Sequence, residues 1–516
     1  MTFLLPFTGA VVYGALLIYN RVLAERTGRS VSFSRTACKF PFLLILIVNM
    51  IFSYLVWGNN DGATAPIFVL TSGGWTSVLG AAGNLRAAVR VDAFGAASAA
   101  LMSFIAFTAG VRALADKDNI LTPRRAAFFL LTCAGAQGIF YANGLGLLFI
   151  LLMIVQAGVT GLYREHSKQE HNELNTGCYY LSRLLLLVLF LLGTVLLKSE
   201  YGTDTISTLA SVITPTKPTL WAFVFLTVPL LYIFAKPSPY VADAARSCFF
   251  GIRVQATLFI AFRIIFTLFG PMQELGKVPY IFLMLGAALT AAAFCRLCGQ
   301  KDPVSFSNAI SSYMKGMIFF SIGASVYGTL SAENAAMFGV SALEAMISLW
   351  LIFLPVSAVL SIITVFLKQQ VKGRELWQER GLLRVIPFTG IFLLVILAIV
   401  TGLPPFVGYS GKQLLFRSVS FISPAVLLLL VSFTMLMLFT GLRFAVTLLT
   451  GRSSLPPDAE CRSETTIILP LFLIFMLLAS ATLLPGAIFD KTVSPSVECL
   501  INRTVPTAPQ SAEVSQ

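Results

Sequence analysis

Long apolar runs, joined by short polar or basic connections, occupy most of the chain. About fourteen of them approach the roughly 20 residues that cross a bilayer as a helix. The first six are Thr2–Tyr19, Phe40–Trp57, Ala93–Val111, Ala126–Ala142, Leu145–Tyr163 and Cys178–Leu197. The next five are Leu220–Ala235, Ser247–Phe269, Val278–Phe294, Ala309–Leu330 and Ala335–Phe366. The last three are Leu382–Val400 with a continuation past Lys412, then Val426–Leu449 and Thr466–Phe489. Ala335–Phe366 is too long for a straight crossing, so tilt or a bend at Pro355 is expected. Ala65–Ala82, rich in glycine, reads as a loop or a shallow re-entrant segment, and the tail after Asp490 as an extended polar end.

Two runs stop abruptly. Leu382–Val400 leads into GLPPFVGYSGK at Gly402–Lys412, where adjacent prolines end a helix for want of an N–H and the apolar pattern then resumes. Leu220–Ala235 runs into Lys236–Pro239 in the same way. Each break carries one lysine. They are the seventh and twelfth runs, five places apart in the order, an odd number, so the broken runs enter the membrane from opposite sides. Interrupted helices at corresponding places in inverted halves point to an ion pathway.

Composition agrees with a polytopic membrane protein. Of 516 residues 57% are hydrophobic and 11% charged, against about 25% charged in soluble chains. The net charge of +13 resides in loops and does not imply a nucleic-acid partner. Loops after odd-numbered spans hold roughly 22 Lys and Arg, against about 5 after even-numbered ones, which turns the odd loops to the negative compartment. Thr2–Tyr19, followed by Arg21, suits a retained first span. Among the eight cysteines only Cys295 and Cys298 form a CxxC, too little for a metal site, and packing roles are expected for it and for Cys133, Cys178 and Cys248. His166 and His171, beside Glu165, Glu170 and Glu173, read as a solvated mixed-charge loop. No phosphate loop, zinc-protease motif, nucleophile elbow or haem motif is present in the sequence.

Ionisable and amide residues inside apolar runs are therefore the candidate chemistry. Lys236 and Lys412 sit at the breaks, Lys315 near the start of the tenth run beside Ser311, Ser312 and Tyr313, and Glu344 in the eleventh, as though in mid-span. A buried amine can switch between charged and neutral as its surroundings change; a lysine at a helix end can instead snorkel to the headgroups. Arg253 and Arg263 on the eighth run keep their charge and suit pairing with acids. Gln156, deep in the fifth run, suits an interhelical hydrogen bond.

These residues resemble the antiporter-like membrane subunits of respiratory complex I, NADH:ubiquinone oxidoreductase, most of all the chain 2 type. LPPFVGYSGKQLLF at Leu403–Phe416 is similar to that type's broken span 12, FAKPSP at Phe234–Pro239 to broken span 7, and DPVSFSNAISSYMKG at Asp302–Gly316 to the start of span 10. Val91–Phe94 is similar to the start of span 3. The resemblance implies an all-α fold of about fourteen transmembrane helices with broken helices 7 and 12. It implies N-terminal helices over 1–125, two inverted five-helix repeats over 126–270 and 271–450, and a last helix with a polar tail over 451–516. It implies proton translocation through Lys236, Lys315, Glu344, Lys412, Gln156, Arg253 and Gln255, driven by quinone reduction elsewhere. The chain would be a subunit of a proton-translocating NADH:ubiquinone reductase, holding no cofactor itself. Its partners would be other membrane-arm subunits and the lipid bilayer, in the mitochondrial inner membrane or else a bacterial plasma or thylakoid membrane. Departures exist: Gln156 stands where the family has a glutamate, Gln255 where it has a lysine, and the segment after the span 7 break is shortened to Tyr240–Ala245. Two other readings stay open, a free-standing multi-subunit cation/proton antiporter and a structural complex I subunit that has lost pumping.

Overall fold

The computed structural model describes residues 4–27, 35–59, 67–70, 87–115, 121–167, 173–235, 244–270, 276–298, 303–330, 338–371, 386–450, 465–484, 486 and 489–501. Helices α1 (Leu4–Thr27) and α2 (Arg35–Gly58) are followed by strands β1 (Ile67–Leu70) and β2 (Ala87–Arg90). Then come α3 (Ala93–Ala115), α4 (Pro123–Tyr141), α5 (Leu145–Ser167) and α6 (Glu173–Tyr201). A short α7 (Ile206–Val212) precedes α8 (Lys217–Ala235) and α9 (Ala244–Phe262), which runs on as one π-helical stretch, Arg263–Leu268. The second half holds α10 (Val278–Cys298), α11 (Pro303–Leu330), α12 (Val340–Val371), α13 (Pro387–Thr401), α14 (Gly408–Ile422), α15 (Pro424–Leu449), α16 (Thr465–Leu483) and α17 (Ser494–Ile501).

Nine of the described helices are long and apolar enough to cross a membrane, and three shorter apolar ones accompany them. Helices α4 and α11 are not among these; α11 is buried along most of its length by its neighbours, so lipid does not require it to be apolar all round. Two elements differ from expectation. The start of the Gly-rich region forms β1, paired antiparallel with β2 so that Ile67 lies opposite Arg90 and Leu70 opposite Ala87; backbone pairing satisfies N–H and C=O groups that a loop leaves open. The tail is not wholly extended: α17 forms because Val497 and Leu500, three residues apart and joined by Val493, bury one apolar stripe.

The bundle has a buried centre and an apolar rim. In α9 94% of the best apolar window is buried and in α12 83%, whereas in α2 and α15 it is 22%. Helix α12 packs on α9, α11 and α14, and α9 packs on α3. Large apolar side chains such as Leu428 and Phe439 on α15 and Phe40 on α2 are exposed at the rim, as on a lipid- or subunit-facing surface. Helices α10 and α11 approach closely because Gly286 and Gly316 face each other: a Cβ on either would lie 2.9–3.0 Å from the other's carbonyl oxygen. Pro355 is accommodated inside α12, which stays helical on both sides of it.

Candidate functional site

The interruption expected near residue 402 is present, and it builds the site. Helix α13 ends at Thr401 because Gly402 takes a left-handed conformation, φ 73°, which glycine adopts without a Cβ penalty. The Gly402 N–H donates back to the α13 carbonyls and Leu403 N–H to Ala398 O. The Pro404–Pro405 bond is cis. The chain restarts as α14 at Gly408, whose Cα passes so close to α13 that a Cβ would lie 1.9 Å from Ile399 O. One turn on, Lys412 points inward. It is buried, and its stem lies over Gly402, where a Cβ would come 2.7 Å from Lys412 Cδ. The amine thus stands beside the carbonyl end of α13, the favourable end for a cation.

The amine donates a 2.7 Å hydrogen bond to Tyr313 Oη and lies 4.7 Å from that ring's centroid. Tyr313 Oη in turn meets Thr434 Oγ1 of α15 at 3.2 Å. A cavity of about 10 Å³, near the lower bound for one water, adjoins the amine between Tyr313, Met314, Met317, Leu349, Gly408 and Lys412.

Lys315 is equally buried. Residues two apart on a helix do not share a face, so Tyr313 serves Lys412 while Lys315 turns toward α8, its amine 5.7 Å from the Phe234 ring centroid. Phe234 lies two residues before Lys236 in the chain, and Lys236 itself lies outside the described residues. Arg183, Arg253 and Arg296 are within electrostatic reach of the Lys315 amine, and Arg253 is fully buried on α9. Helix α11 therefore carries the Lys315 amine on one face and meets the Lys412 amine of α14, through Tyr313, on another.

Residues 307–438, which span α11 to α15 and include both amines, match the family described as NADH:quinone oxidoreductase/Mrp antiporter, transmembrane. The whole chain is similar in fold to a subunit of the Mrp complex from Dietzia sp. DQ12-45-1b, with a TM-score of 0.76, 16% identity and 98% and 97% of the two chains covered. It is similar also to a subunit of respiratory complex I from Thermus thermophilus with bound NADH, at TM-score 0.70 and 14% identity over 97% of this chain and 100% of that one. A chain of the membrane-bound sulfane sulfur reductase, an archaeal respiratory membrane complex, matches at TM-score 0.74 and 15% identity over 97% of each. Over its whole length the chain thus has the fold of these membrane subunits, and its α11–α15 segment matches the family's model. No curated protein matches it in sequence.

The remaining sequence-derived residues scatter around the two amines. Gln255 is buried and donates to Trp350 O at 3.0 Å; that carbonyl adjoins the one on Leu351 whose helical donor Pro355 removes. Glu344 is not in mid-span. Helix α12 starts at Val340, so Glu344 lies in its second turn and is half-buried, its carbonyl accepting from Ser348 Oγ at 2.7 Å. Gln156 is buried on α5 without the interhelical hydrogen bond expected of it: neither amide atom has a partner among the described residues. Cys295 and Cys298 are exposed at the end of α10 rather than packed, since the helix end turns them away from α11, while Cys133 and Cys248 are buried as expected. The side chains of Cys178, Glu165 and His166, and all of His171, fall outside the described residues. Among the described residues no group of three or more His, Cys, Asp or Glu could hold a metal.

Sequence reasoning missed an ion cluster. Asp92, just before α3, accepts from Gly95 N–H at 2.7 Å and caps the helix. Arg263, at the start of the π-helical stretch, reaches Asp92 at 2.5 Å and lies over the Phe259 ring. Arg90, closing β2, stands 3.6 Å from the same carboxylate. Arg263 thus does pair with an acid, as its chemistry required; the pair links positions 171 residues apart, which no local pattern connects.

Proposed function

We propose that this chain is an antiporter-like membrane subunit that translocates protons through Lys412 and Lys315 as part of the membrane arm of an NADH:quinone oxidoreductase, coupled to quinone reduction elsewhere in the complex. The observation that carries the reading is the Lys412 amine, buried at a helix break with one hydroxyl, one ring face, a carbonyl helix end and a water-sized cavity around it. Irregular backbone and an amine at this depth are costly unless they serve an ion path. An added proton finds an acceptor in Tyr313 Oη; a released one can leave through a water in the cavity. Helix α11 fixes the two amines relative to each other, since Tyr313, which holds the Lys412 amine, and Lys315 lie within one turn of the same helix. Lys236, two residues after Phe234 in the chain, is the proposed inlet, Glu344 the group near the start of α12, and 126–270 and 271–450 the two inverted repeats. The chain-2-like LPPFVGYSGK stretch favours complex I, with its other membrane-arm subunits and the bilayer as partners, in a mitochondrial inner membrane, or a bacterial or thylakoid one.

The test is Lys412→Met in the purified complex, reconstituted into liposomes. Fewer protons moved per NADH oxidised are expected; an unchanged yield removes Lys412 from the path. The fold overlap with the Mrp subunit favours a second reading, a cation/proton antiporter working without redox chemistry. That reading calls for a preparation that oxidises no NADH and moves protons only when Na⁺ or K⁺ is supplied. Gln156 motivates a third, a subunit that no longer pumps, and a proton yield that depends on Lys412 excludes it.

A further inference from the structure

The bonds beyond Lys412 have a direction that the chemistry fixes. Thr434 Oγ1 meets its own helix's carbonyl at Leu430 O, 2.9 Å away. A carbonyl only accepts, so the single Thr434 proton is committed there. Thr434 Oγ1 can then only accept from Tyr313 Oη at 3.2 Å, which commits the Tyr313 proton in turn. Tyr313 is left with a lone pair for the amine of Lys412 at 2.7 Å. Tyr313 and Thr434 are both buried, so water does not compete with this order. Beyond Thr434 the outward face of α15 carries exposed Leu428, Met435 and Phe439, an apolar surface.

We propose that Tyr313 and Thr434 are positioning residues for Lys412, and that their branch is closed to protons. A proton passed from the amine to Tyr313 would have to end on the Leu430 carbonyl, which cannot keep it, with only apolar surface beyond. The branch instead holds an acceptor rigidly toward the amine, so that Lys412 stays over Gly402 and faces the small cavity. Proton exchange then runs on the cavity side, toward Met314, Met317 and Gly408. This rests on the reading of Lys412 as a proton carrier given above.

The test compares five variants of the purified complex in liposomes, reading proton movement with a pH-sensitive dye per turnover: Lys412→Met, Tyr313→Phe, Thr434→Val, Thr434→Ser, and the double variant Tyr313→Phe with Thr434→Val. Positioning predicts that Tyr313→Phe and Thr434→Val each lower proton movement several-fold yet stay above Lys412→Met. Thr434→Ser restores it, and the double variant falls no lower than Tyr313→Phe, because Thr434 acts through Tyr313. Tyr313→Phe at the level of Lys412→Met shows that protons pass through the hydroxyls and overturns the closed branch. Normal transport in Thr434→Val, or a further fall in the double variant, overturns the positioning role. Normal transport in Lys412→Met instead sinks the functional reading itself, whatever the other variants do.

Discussion

Gln156 buries both polar atoms of its amide without a hydrogen-bond partner among the described residues. An unpaired buried amide costs roughly 1–3 kcal/mol by protein substitution data. Gln156→Leu, of similar size, is therefore expected to leave the thermal unfolding midpoint of the purified complex unchanged or higher. A clear drop would show that the amide is bonded to something outside these residues. Asp92 is the opposite case: it caps α3 and neutralises buried Arg263. Removing one member of such a pair costs about 3–5 kcal/mol, so Asp92→Ala should cut the amount of assembled protein recovered from membranes, with Asp92→Asn, which keeps an acceptor, milder. Equal recovery of both variants would show that the charge, not the cap, decides. Lys412 and Lys315 were legible as residues because amines inside apolar runs are rare. Which neighbour each amine faces was not: Tyr313 adjoins Lys315 in sequence but serves Lys412. The helical spacing of two residues was the available signal that they diverge.

At the scale of the element, the broken helix is a matter of backbone space. Gly402 has a left-handed φ, and its missing Cβ makes room for the Lys412 stem. Gly408 comes within covalent-like reach of Ile399 O if a Cβ is added. Gly408→Ala must therefore push α14 away from α13, carrying Lys412 with it. Its expected effect is loss of both thermal stability and proton movement, larger than that of Gly402→Ala, where φ strain is about 1–2 kcal/mol and the clash is with a flexible side chain. If Gly408→Ala transports protons at the normal rate, the amine's position does not depend on the close crossing. Prolines and glycines announced this break in the sequence; the crossing of α14 over Ile399, and the placing of Glu344 in the second turn of α12, came only with the fold.

Across the whole molecule, buried ionisable groups stand on α9, α11 and the inner face of α14, around the enclosed α9 and α12, while α2 and α15 show apolar sides outward. Lysine-bearing helices wrapped by others can hold amines out of lipid, and outward apolar faces suit lipid or neighbouring subunits. Mild detergent extraction is expected to bring the chain down within a large multi-subunit assembly, read as co-migration on a native gel. Recovery as a lone, stable, transport-competent chain would count against any complex-bound role. Whether that assembly oxidises NADH separates the complex I reading from the Mrp-like one.

The sequence by itself determined that the chain holds many helices long and apolar enough to cross a membrane, that one run breaks at Gly402–Lys412, and that the Lys315 and Lys412 amines stand inside apolar runs; the second expected break, at Lys236–Pro239, lies outside the described residues. Each of these follows from run length, proline chemistry and the cost of burying charge, all local properties. Only the tertiary structure decided the pairings: Lys412 with Tyr313 and Thr434, Lys315 with Phe234, Asp92 with Arg263, and Gln156 with no partner among the described residues. Such partners are set by which helix faces meet, and helix packing joins residues that lie up to 171 positions apart, a distance over which periodicity carries no information.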